Sequence, residues 1–381
     1  MNKYLIIASD ERSYLDLKNV VLELKNRNLP YFFLYNDLPN KLSPQSSLEH
    51  FKYDTNTTPS GDAYLSQTLG FELPFKPNIL LITNENWEPE KTILWEFKQW
   101  GCFIGCVENS SWLHNNIKTK LELTSRKTFP SNCIDVFFDH SKWCLETKKE
   151  AGWWNQKSII TGNPKFDDFE LDSTTEDIII VYGSMEIEHH NKILNVYNSL
   201  LKRYPKWRIF YKPHPNEFVD FKDDLNKISN LIKSNDEFYP IVKKSKHNIG
   251  IFQAVMYIPL MLNKNIVAFK HSSIGIDNEL NFENFKEGSH ELSFWKKILP
   301  QHFTNFKEFK EFISIDFINK TKIRNNKLEQ KIEENLVFYD KEHTFMNIKS
   351  DNRKILTCYD DFNDNNASKR IINYIENYEK N

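Results

Sequence analysis

The sequence feature that most constrains the fold is a series of short, continuous apolar runs separated by segments of helical spacing. The runs YLIIA at 4–8, YFFLY at 31–35 and NILLIT at 78–83 are apolar at nearly every position. Such strands are buried on both faces, which is typical of a parallel sheet covered by helices. The intervening segment 12–27 places its apolar residues on one helical face. The first half therefore predicts an α/β fold, with a polar loop over 36–66.

The same pattern begins again in the second half of the chain. The run DIIIVY at 177–182 precedes a segment of helical spacing, and further strand candidates follow at 207–211, 248–252 and 265–269. A helix is expected over 218–234. Two α/β halves in 381 residues agree with a prior of about 150 residues per domain.

A polar and acidic segment, PKFDDFELDSTTE at 164–176, separates the two halves and has the composition of a linker. We therefore expect a first Rossmann-like domain over 1–163 and a second over 164–366. The last residues, 367–381, contain an amphipathic helix that we expect to cross back to the first domain.

Composition and charge exclude several classes of protein. Apolar residues make up 40% of the chain and aromatic residues 14%, which excludes a disordered chain. The 50 Lys and Arg against 52 Asp and Glu give a formal charge of −2, so we expect no nucleic-acid partner. Five scattered cysteines are typical of free thiols in a reducing compartment.

The N-terminus, the longest apolar region and a pair of adjacent histidines bear on secretion, membrane insertion and metal binding. The first apolar stretch ends before Asp10 and is too short for a secretory signal, and polar residues interrupt the apolar region 249–269. We expect a cytoplasmic protein, and a peripheral contact with the inner membrane face stays open. His189 and His190 are adjacent on a helix and point apart, so they cannot chelate one metal ion together. No Gly-x-Gly-x-x-Gly segment is present, and we expect neither a metal nor a cofactor.

The strongest local signal is the segment YKPHPNE at 211–217, directly after a predicted strand. Ligands of open α/β sheets bind at the carboxyl ends of strands. Lys212 supplies a positive charge, and the prolines on either side of His214, including Pro215, restrict its backbone. This combination suits a phosphate or a phosphosugar, and a surface turn fits the segment equally well.

Two further strand ends have weaker signals for an anion. Gly183 and Ser184 follow DIIIVY and precede a helix, where glycine permits close backbone approach and helix N–H groups favour anions. Gln253 lies between the strand 248–252 and the next helical segment. An ordinary strand-to-helix turn and a polar first-turn residue are the competing interpretations.

Four acids are candidates for a general base. Glu108 follows the strand CFIGCV, Asp10 and Glu11 follow the first strand, and Glu85 follows the strand at 78–83. A carboxylate at such a position is able to accept a proton from a substrate hydroxyl. A helix cap or a solvated loop acid explains each of them as well, and the sequence does not select among the four.

Two segments resemble those of GT-B glycosyltransferases that build bacterial surface polysaccharides. TGNPKFD at 161–167 looks like the Gly-Asn-Pro segment that enters the second domain of CDP-glycerol glycerophosphotransferases and related capsule enzymes. KPHP at 212–215 looks like the His-Pro motif of bacterial sialyltransferases and capsule-type transferases. The resemblance implies a GT-B-type fold, with two Rossmann-like domains facing across a crevice and Asn163 among the donor-binding residues.

The resemblance also implies a reaction. The first domain would bind a glycan or lipid-linked acceptor, and the second would bind a nucleotide-activated sugar of the CMP or CDP type. Glu108 would take the acceptor proton, and Lys212 and His214 would neutralise the leaving phosphate. Gly183, Ser184, Pro215 and Gln253 would complete the donor site. We expect a metal-independent transfer, with a CMP-activated acidic sugar as the first choice of donor.

Departures from the resembled families keep alternatives open. Residues 249–253 (IGIFQ) stand where the CDP-glycerol family has Thr-Asp-Tyr-Ser-Ser, and the first-domain His-Gly motif of that family is missing. These departures favour sugar transfer. The alternatives are a CDP-polyol phosphotransferase of the teichoic-acid or capsule type, a UDP-N-acetylglucosamine 2-epimerase-like enzyme, and a two-lobed binding protein.

Overall fold

The computed structural model describes most of the chain and divides it into two compact units. The residues described are 1–8, 11–35, 51–57, 64–66, 69–83, 90–108, 133–143, 145–146, 157–169, 174–184, 189–214, 217–251, 254–269, 334–357 and 360–378. Those within Met1–Phe169 and Thr357–Asn381 form the first unit, and those within Glu170–Ser314 and Lys322–Leu356 form the second.

The described strands and helices alternate along most of the chain. The strands are β1 (Tyr4–Ala8), β2 (Tyr31–Tyr35), β3 (Lys52–Thr55), β4 (Tyr64–Ser66), β5 (Phe71–Leu73), β6 (Ile79–Ile82), β7 (Phe103–Val107), β8 (Val136–Asp139), β9 (Lys157–Ile160), β10 (Ile178–Tyr182), β11 (Arg208–Lys212), β12 (His247–Gly250), β13 (Asn265–Ala268) and β14 (Val337–Phe338). The helices are α1 (Glu11–Asn26), α2 (Glu90–Gln99), α3 (His190–Arg203), α4 (Glu217–Asp220), α5 (Lys222–Leu225), α6 (Asn235–Lys244), α7 (Tyr257–Met261), α8 (Asn352–Leu356) and α9 (Ala367–Tyr378).

The first unit is built on a seven-stranded sheet in the order β3-β2-β1-β6-β7-β8-β9. All neighbouring pairs are parallel except β2 with β3. Successive side chains of a strand point to opposite faces, so each continuous apolar strand supplies two cores. Leu5 and Ile7 pack with the side chains of α2, whereas Tyr4 and Ile6 pack with those of α1 and α9.

A set of charged contacts fixes α9 in the first unit. Both carboxylate oxygens of Asp167 accept hydrogen bonds from the first turn of α9, from the Ala367 N–H at 3.0 Å and the Ser368 N–H at 2.6 Å. The Arg370 guanidinium donates to the Thr161 carbonyl at 2.7 Å. Asp167 therefore acts as the N-cap of a helix that lies 200 residues further along the chain.

Replacing Asp167 with alanine is expected to fray the start of α9. Loss of an N-cap costs about 1–2 kcal/mol, and both amide donors then lose their acceptor. Native-state hydrogen exchange of the Ala367 and Ser368 amides measures the change in opening free energy. Asp168→Ala is the control, because the exposed Asp168 bonds to Lys18 and Asn19 of α1 rather than to the first turn of α9. Equal effects of the two substitutions would contradict the capping role.

The second unit contains a five-stranded, fully parallel sheet in the order β11-β10-β12-β13-β14. Ile179 and Val181 of β10 pack with Ile193 and Leu200 of α3, so α3 covers one face of this sheet. On α6, Phe238 lies edge-on to Tyr182, with ring centroids 5.9 Å apart. The central strands β10, β12 and β13 are buried along their whole length, as expected for a parallel sheet that helices cover.

Two local expectations are wrong. Residues 36–66 were expected as loop, but β3 pairs antiparallel with β2 and forms an edge of the first sheet, and β4 pairs with β5. In place of a helix over 218–234, only the short α4 and α5 form, and the chain then returns to β11. The Tyr211 carbonyl accepts from the Ile232 N–H at 2.9 Å, so pairing with the sheet edge replaces helical hydrogen bonds there.

The expectation of free thiols is confirmed for the described cysteines. Cys102, Cys106 and Cys133 are free and buried, and burial raises the pKa of the Cys102 thiol to about 11. Cys144 and Cys358 lie outside the described residues. No described helix is both long enough and apolar enough to cross a membrane.

A buried histidine makes the stability of the second unit depend on pH. His247 opens β12 with its Nδ1 at 2.7 Å from the Asn265 amide nitrogen, and its ring stacks on Trp207. Burial, assisted by the positive charge of Lys246, lowers the pKa of His247 to about 4, although Asp177 opposes the shift. In the unfolded chain a histidine titrates near pH ~6.5.

The unfolded state therefore takes up a proton at a pH at which the folded state does not. Stability from this group is fully present above about pH 6.5 and is lost as the pH falls toward about 4, by about 2 kcal/mol between about pH 7 and about pH 5. Urea titrations at both pH values measure the loss. His247→Gln removes the titrating group and should flatten this part of the profile. Parallel profiles of wild type and variant would refute the assignment.

Candidate functional site

Two of the predicted anion-binding segments lie side by side at the carboxyl edge of the second sheet. β10 and β11 are parallel neighbours in a register that pairs Tyr182 with Lys212. Gly183 and Ser184 leave the end of β10, and His214 follows the end of β11. The Gly183 N–H donates to the Lys212 carbonyl at 2.9 Å, which joins the two segments directly. The structure therefore brings together Gly183, Ser184, Lys212 and His214.

A buried glutamate holds the His-Pro segment in place. The Glu217 side chain is 2% exposed, and its Oε2 accepts the His214 backbone N–H at 2.8 Å. In return, the Glu217 N–H donates to the His214 carbonyl at 2.9 Å. The Glu217 side chain thus bonds back to the N–H three residues earlier, as the glutamate of a capping box does, and a backbone hydrogen bond closes the same turn. It fixes the backbone on which the His214 ring is carried.

The second oxygen of the same carboxylate has two further partners. Oε1 of Glu217 lies 2.9 Å from the Tyr211 hydroxyl and 2.9 Å from Nδ1 of His190. Burial and the neighbouring carboxylate raise the pKa of the Tyr211 hydroxyl, so the group stays protonated and donates. The His190 ring stacks on Phe221 with centroids 3.8 Å apart. The carboxylate is thus enclosed by donors from separate elements.

Gly183 has a packing role in addition to the predicted one. A Cβ placed on Gly183 would overlap the carboxylate of Glu217. The absence of a side chain therefore gives Glu217 room to reach the His214 N–H. Close backbone approach was the predicted use of this glycine, and the group that approaches within the chain is a carboxylate.

Ser184 and the paired histidines form a neighbouring cluster. The Ser184 Oγ lies 3.0 Å from Nδ1 of His189, and both residues are buried. His190 turns instead to Glu217. The two adjacent histidines thus contact different partners, in agreement with the expectation that they do not share one ligand.

The Lys212 ammonium is held beside an aromatic ring. Its Nζ lies 5.7 Å from the centroid of Phe238 on α6, a cation–π distance, and the side chain is partly exposed. A cation at a strand end, next to the backbone of Gly183, is an arrangement that suits an anionic group.

Glu108 lies at the corresponding edge of the first sheet. It follows β7, is 1% exposed, and its N–H donates to the Phe138 carbonyl at 3.0 Å. The neighbouring strand ends also carry buried polar residues, and the Thr83 Oγ1 donates to the Ser13 Oγ at 2.6 Å. The buried polar residues of this edge are Ser13, Asp16, Thr83, Glu108, Asp139, His140 and Ser141. Within the described residues, no group of His, Cys, Asp and Glu side chains is placed to hold a metal ion.

The remaining predicted residues have other places in the molecule. Asn163 lies in the first unit, where its side chain accepts the Lys165 N–H at 3.1 Å and caps a short 3-10 helix, Pro164–Phe166. Its own N–H donates to Asp360. Glu11 is the first residue of α1, and its side chain lies outside the described part of the structure. Asp10, Glu85, Pro215 and Gln253 also lie outside the described residues.

The sequence reasoning missed the residues that surround the His-Pro segment. Glu217, Tyr211, His189 and His190 were not assigned a role. One signal was available, since a glutamate three residues after a potential N-cap, with proline at the first helical position, is a helix-start pattern. The partners of Glu217 are not readable from the sequence because His190 is 27 residues away.

The two parallel-sheet units, each with polar residues at a carboxyl edge, define a GT-B-like fold. The chain is similar to the UDP-GlcNAc 2-epimerase from Neisseria meningitidis bound to UDP-GlcNAc, with a TM-score of 0.51 and 14% identity over 100% of both chains. It is similar to the UDP-GlcNAc 2-epimerase from Methanocaldococcus jannaschii, with a TM-score of 0.53 and 12% identity over 99% of both chains.

A third solved structure is a variant of the wall teichoic acid polymerase TagF, with a TM-score of 0.52 and 11% identity over 100% of this chain and 89% of that chain. No protein-family model matches the chain, and no curated protein matches it. At this level of identity the likenesses concern the fold. They confirm the predicted α/β fold of the GT-B type.

Gly183→Ala is expected to destabilise the second unit, because the new methyl group displaces the Glu217 carboxylate. Overpacking costs about 1–3 kcal/mol, and the loss of the carboxylate contacts adds to it. Gly250→Ala, at the end of β12, is the control. Its Cβ would come no closer than 3.0 Å to the Tyr182 Cβ. Urea unfolding of both variants is the measurement, and an equal or smaller loss for Gly183→Ala would contradict the packing argument.

Proposed function

We propose that this chain is a glycosyltransferase of the GT-B type that moves a sugar from a nucleotide donor to a hydroxyl of a surface glycan. The observation that carries the proposal is the joined pair of segments at one sheet edge, Gly183-Ser184 and Lys212-Pro213-His214. The pair combines an ammonium group, an imidazole held on a fixed backbone and a close backbone turn. These are the groups that recognise a phosphate.

The proposed reaction is a displacement at the anomeric carbon of the donor sugar. A carboxylate, which we assign to Glu108, takes the proton of the acceptor hydroxyl as its oxygen bonds to the anomeric carbon. The bond from that carbon to the phosphate oxygen breaks, and its electron pair stays on the phosphate. Lys212 and His214 neutralise this charge, and stabilisation of developing charge is commonly the largest catalytic term.

The finer assignments remain those of the sequence resemblance. The donor is a CMP-activated acidic sugar, and the acceptor is a glycan or a lipid-linked glycan reached from the cytoplasm. Ser184, Pro215 and Gln253 complete the donor site. Asn163 is retained as a donor-binding residue on the resemblance of its Gly-Asn-Pro segment, and its side chain caps the short helix after β9.

Two alternatives are supported by the structural neighbours. The similarity to UDP-GlcNAc 2-epimerases favours an enzyme that converts a nucleotide sugar without an acceptor. The similarity to the teichoic acid polymerase favours transfer of a polyol phosphate. The proposed site serves all three reactions, because each needs a nucleotide phosphate beside Lys212 and His214.

Thermal shift with CMP, CDP, UDP and GDP tests the nucleotide site. We expect one nucleotide to stabilise the protein, by about 2.7 kcal/mol at a concentration of about 100 times its Kd. Lys212→Ala should abolish the shift. Lys246→Ala is a matched control, since Lys246 also lies over an aromatic ring, Trp207, but precedes β12 at the opposite end of the sheet. A shift with none of the four nucleotides would contradict the proposal.

Product analysis with the nucleotide sugar then separates the reactions. Conversion of the sugar in the absence of any acceptor would replace glycosyl transfer by epimerisation. A phosphodiester in the product would replace it by polyol-phosphate transfer. A glycosidic bond formed only with acceptor present, and lost in Glu108→Gln, is the result expected.

A further inference from the structure

We propose that Glu217 is the positioning residue of the donor site, which orients the backbone of Lys212–His214 without itself touching the ligand. The inference rests on the proposed function for the identity of the ligand. Its structural content is independent of that function. It concerns one buried carboxylate and the four chain segments that it joins.

Three hydrogen-bond donors surround the buried Glu217 carboxylate. A carboxylate that is withdrawn from water is costly unless hydrogen bonds satisfy it. Glu217 is 2% exposed and has the His214 N–H on Oε2, with the Tyr211 hydroxyl and His190 Nδ1 on Oε1. Because a carboxylate only accepts, Nδ1 of His190 donates here. Both oxygens are therefore satisfied within the protein.

The donors to the Glu217 carboxylate come from separate segments of the second unit. Tyr211 belongs to β11, His214 to the segment after it, and His190 to the first turn of α3. Gly183, which leaves β10, packs against the same carboxylate. One side chain thus sets the spacing of β10, β11 and α3 around the segment proposed to bind phosphate. Displacements well below 1 Å matter for such a site, since reacting groups must be held within about 0.5 Å.

The surroundings of the Glu217 carboxylate exclude its direct contact with the ligand. A phosphate next to an unshielded carboxylate would be repelled, so a glutamate in this position is expected to be covered. The Glu217 oxygens are occupied by three donors and its side chain is buried. Its action on a ligand is therefore indirect and passes through the His214 backbone.

Three variants remove the contacts of the Glu217 side chain to different degrees. Tyr211→Phe removes one donor to Oε1. Glu217→Gln keeps the shape of the side chain but turns an amide NH2 toward a donor. Glu217→Ala removes all three hydrogen bonds of the Glu217 side chain. Glu237→Gln is the matched control, because Glu237 accepts the Lys233 N–H at 2.7 Å at the start of α6, in an exposed capping box of the same unit.

The primary measurement needs no ligand. Hydrogen exchange is followed in peptides covering 211–217 and 183–184, with a peptide from β13 as the reference for the rest of the unit. We expect faster exchange of the first two peptides in Glu217→Gln and Glu217→Ala, an intermediate effect in Tyr211→Phe, and no change in Glu237→Gln or in β13. Unchanged exchange at 211–217, or an equal increase in β13, would overturn the proposal.

The second measurement is the Kd of the nucleotide that gives the largest thermal shift among CMP, CDP, UDP and GDP. We expect Glu217→Gln to weaken binding by about tenfold, the factor that ~1.4 kcal/mol represents. Glu237→Gln should leave the Kd unchanged. If no nucleotide binds the wild type, the proposed function fails, and hydrogen exchange still decides on the positioning role. An unchanged Kd in Glu217→Gln would overturn that role.

A double-mutant cycle tests the contact of Gly183 with Glu217. If the added methyl group acts by displacing the carboxylate, Gly183→Ala should destabilise the Glu217→Ala protein much less than the wild type. Additive effects would show that Gly183 and Glu217 act separately, and would overturn the shared role. Should Glu217→Ala fail to fold, the same cycle is run with Glu217→Gln.

Discussion

A parallel sheet that is buried on both faces leaves only its edges for ligands, and this constraint organises both units of the chain. The strands β1, β6 and β10 are apolar on both faces because helices cover them. Next to these three strands, the charged side chains therefore lie beyond the strand ends. Glu108 and the Lys212–His214 segment both lie at carboxyl ends, where neighbouring parallel strands bring distant residues together.

The same constraint explains which parts of the fold the sequence predicts well. Central strands such as Ile79–Ile82 and Ile178–Tyr182 are continuous apolar runs whose structure local composition determines. The edge strand Lys52–Thr55 carries mostly polar and exposed residues, and its strand structure comes from pairing with β2. Residues 218–234 do not form the predicted helix for a similar reason, because the Ile232 N–H donates to the Tyr211 carbonyl of the sheet. Tertiary partners override local pattern at the edges.

The candidate site also combines residues that local sequence predicts with contacts that only the fold creates. The residue types at strand ends, Gly183, Lys212 and His214, were readable from the sequence, and the register of β10 with β11 brings them together. What holds them was not readable. Glu217 looked like the last residue of a motif, and its significance depends on Tyr211, His190 and the space left by Gly183. Such a network forms only when the fold has fixed the register of β10 with β11 and the position of α3.

The Glu217 carboxylate also limits how the His-Pro segment is able to bind an anion. Backbone N–H groups are the usual phosphate donors at strand-to-helix turns, but the His214 N–H is already committed to Glu217 at 2.8 Å. The Gly183 N–H is likewise committed to the Lys212 carbonyl. In the proposed site, an anionic ligand would therefore contact the Lys212 ammonium, the His214 ring and the turn at Ser184 rather than these two N–H groups. Glu217 holds the backbone that carries the His214 side chain, so less backbone conformational entropy would be lost there on binding.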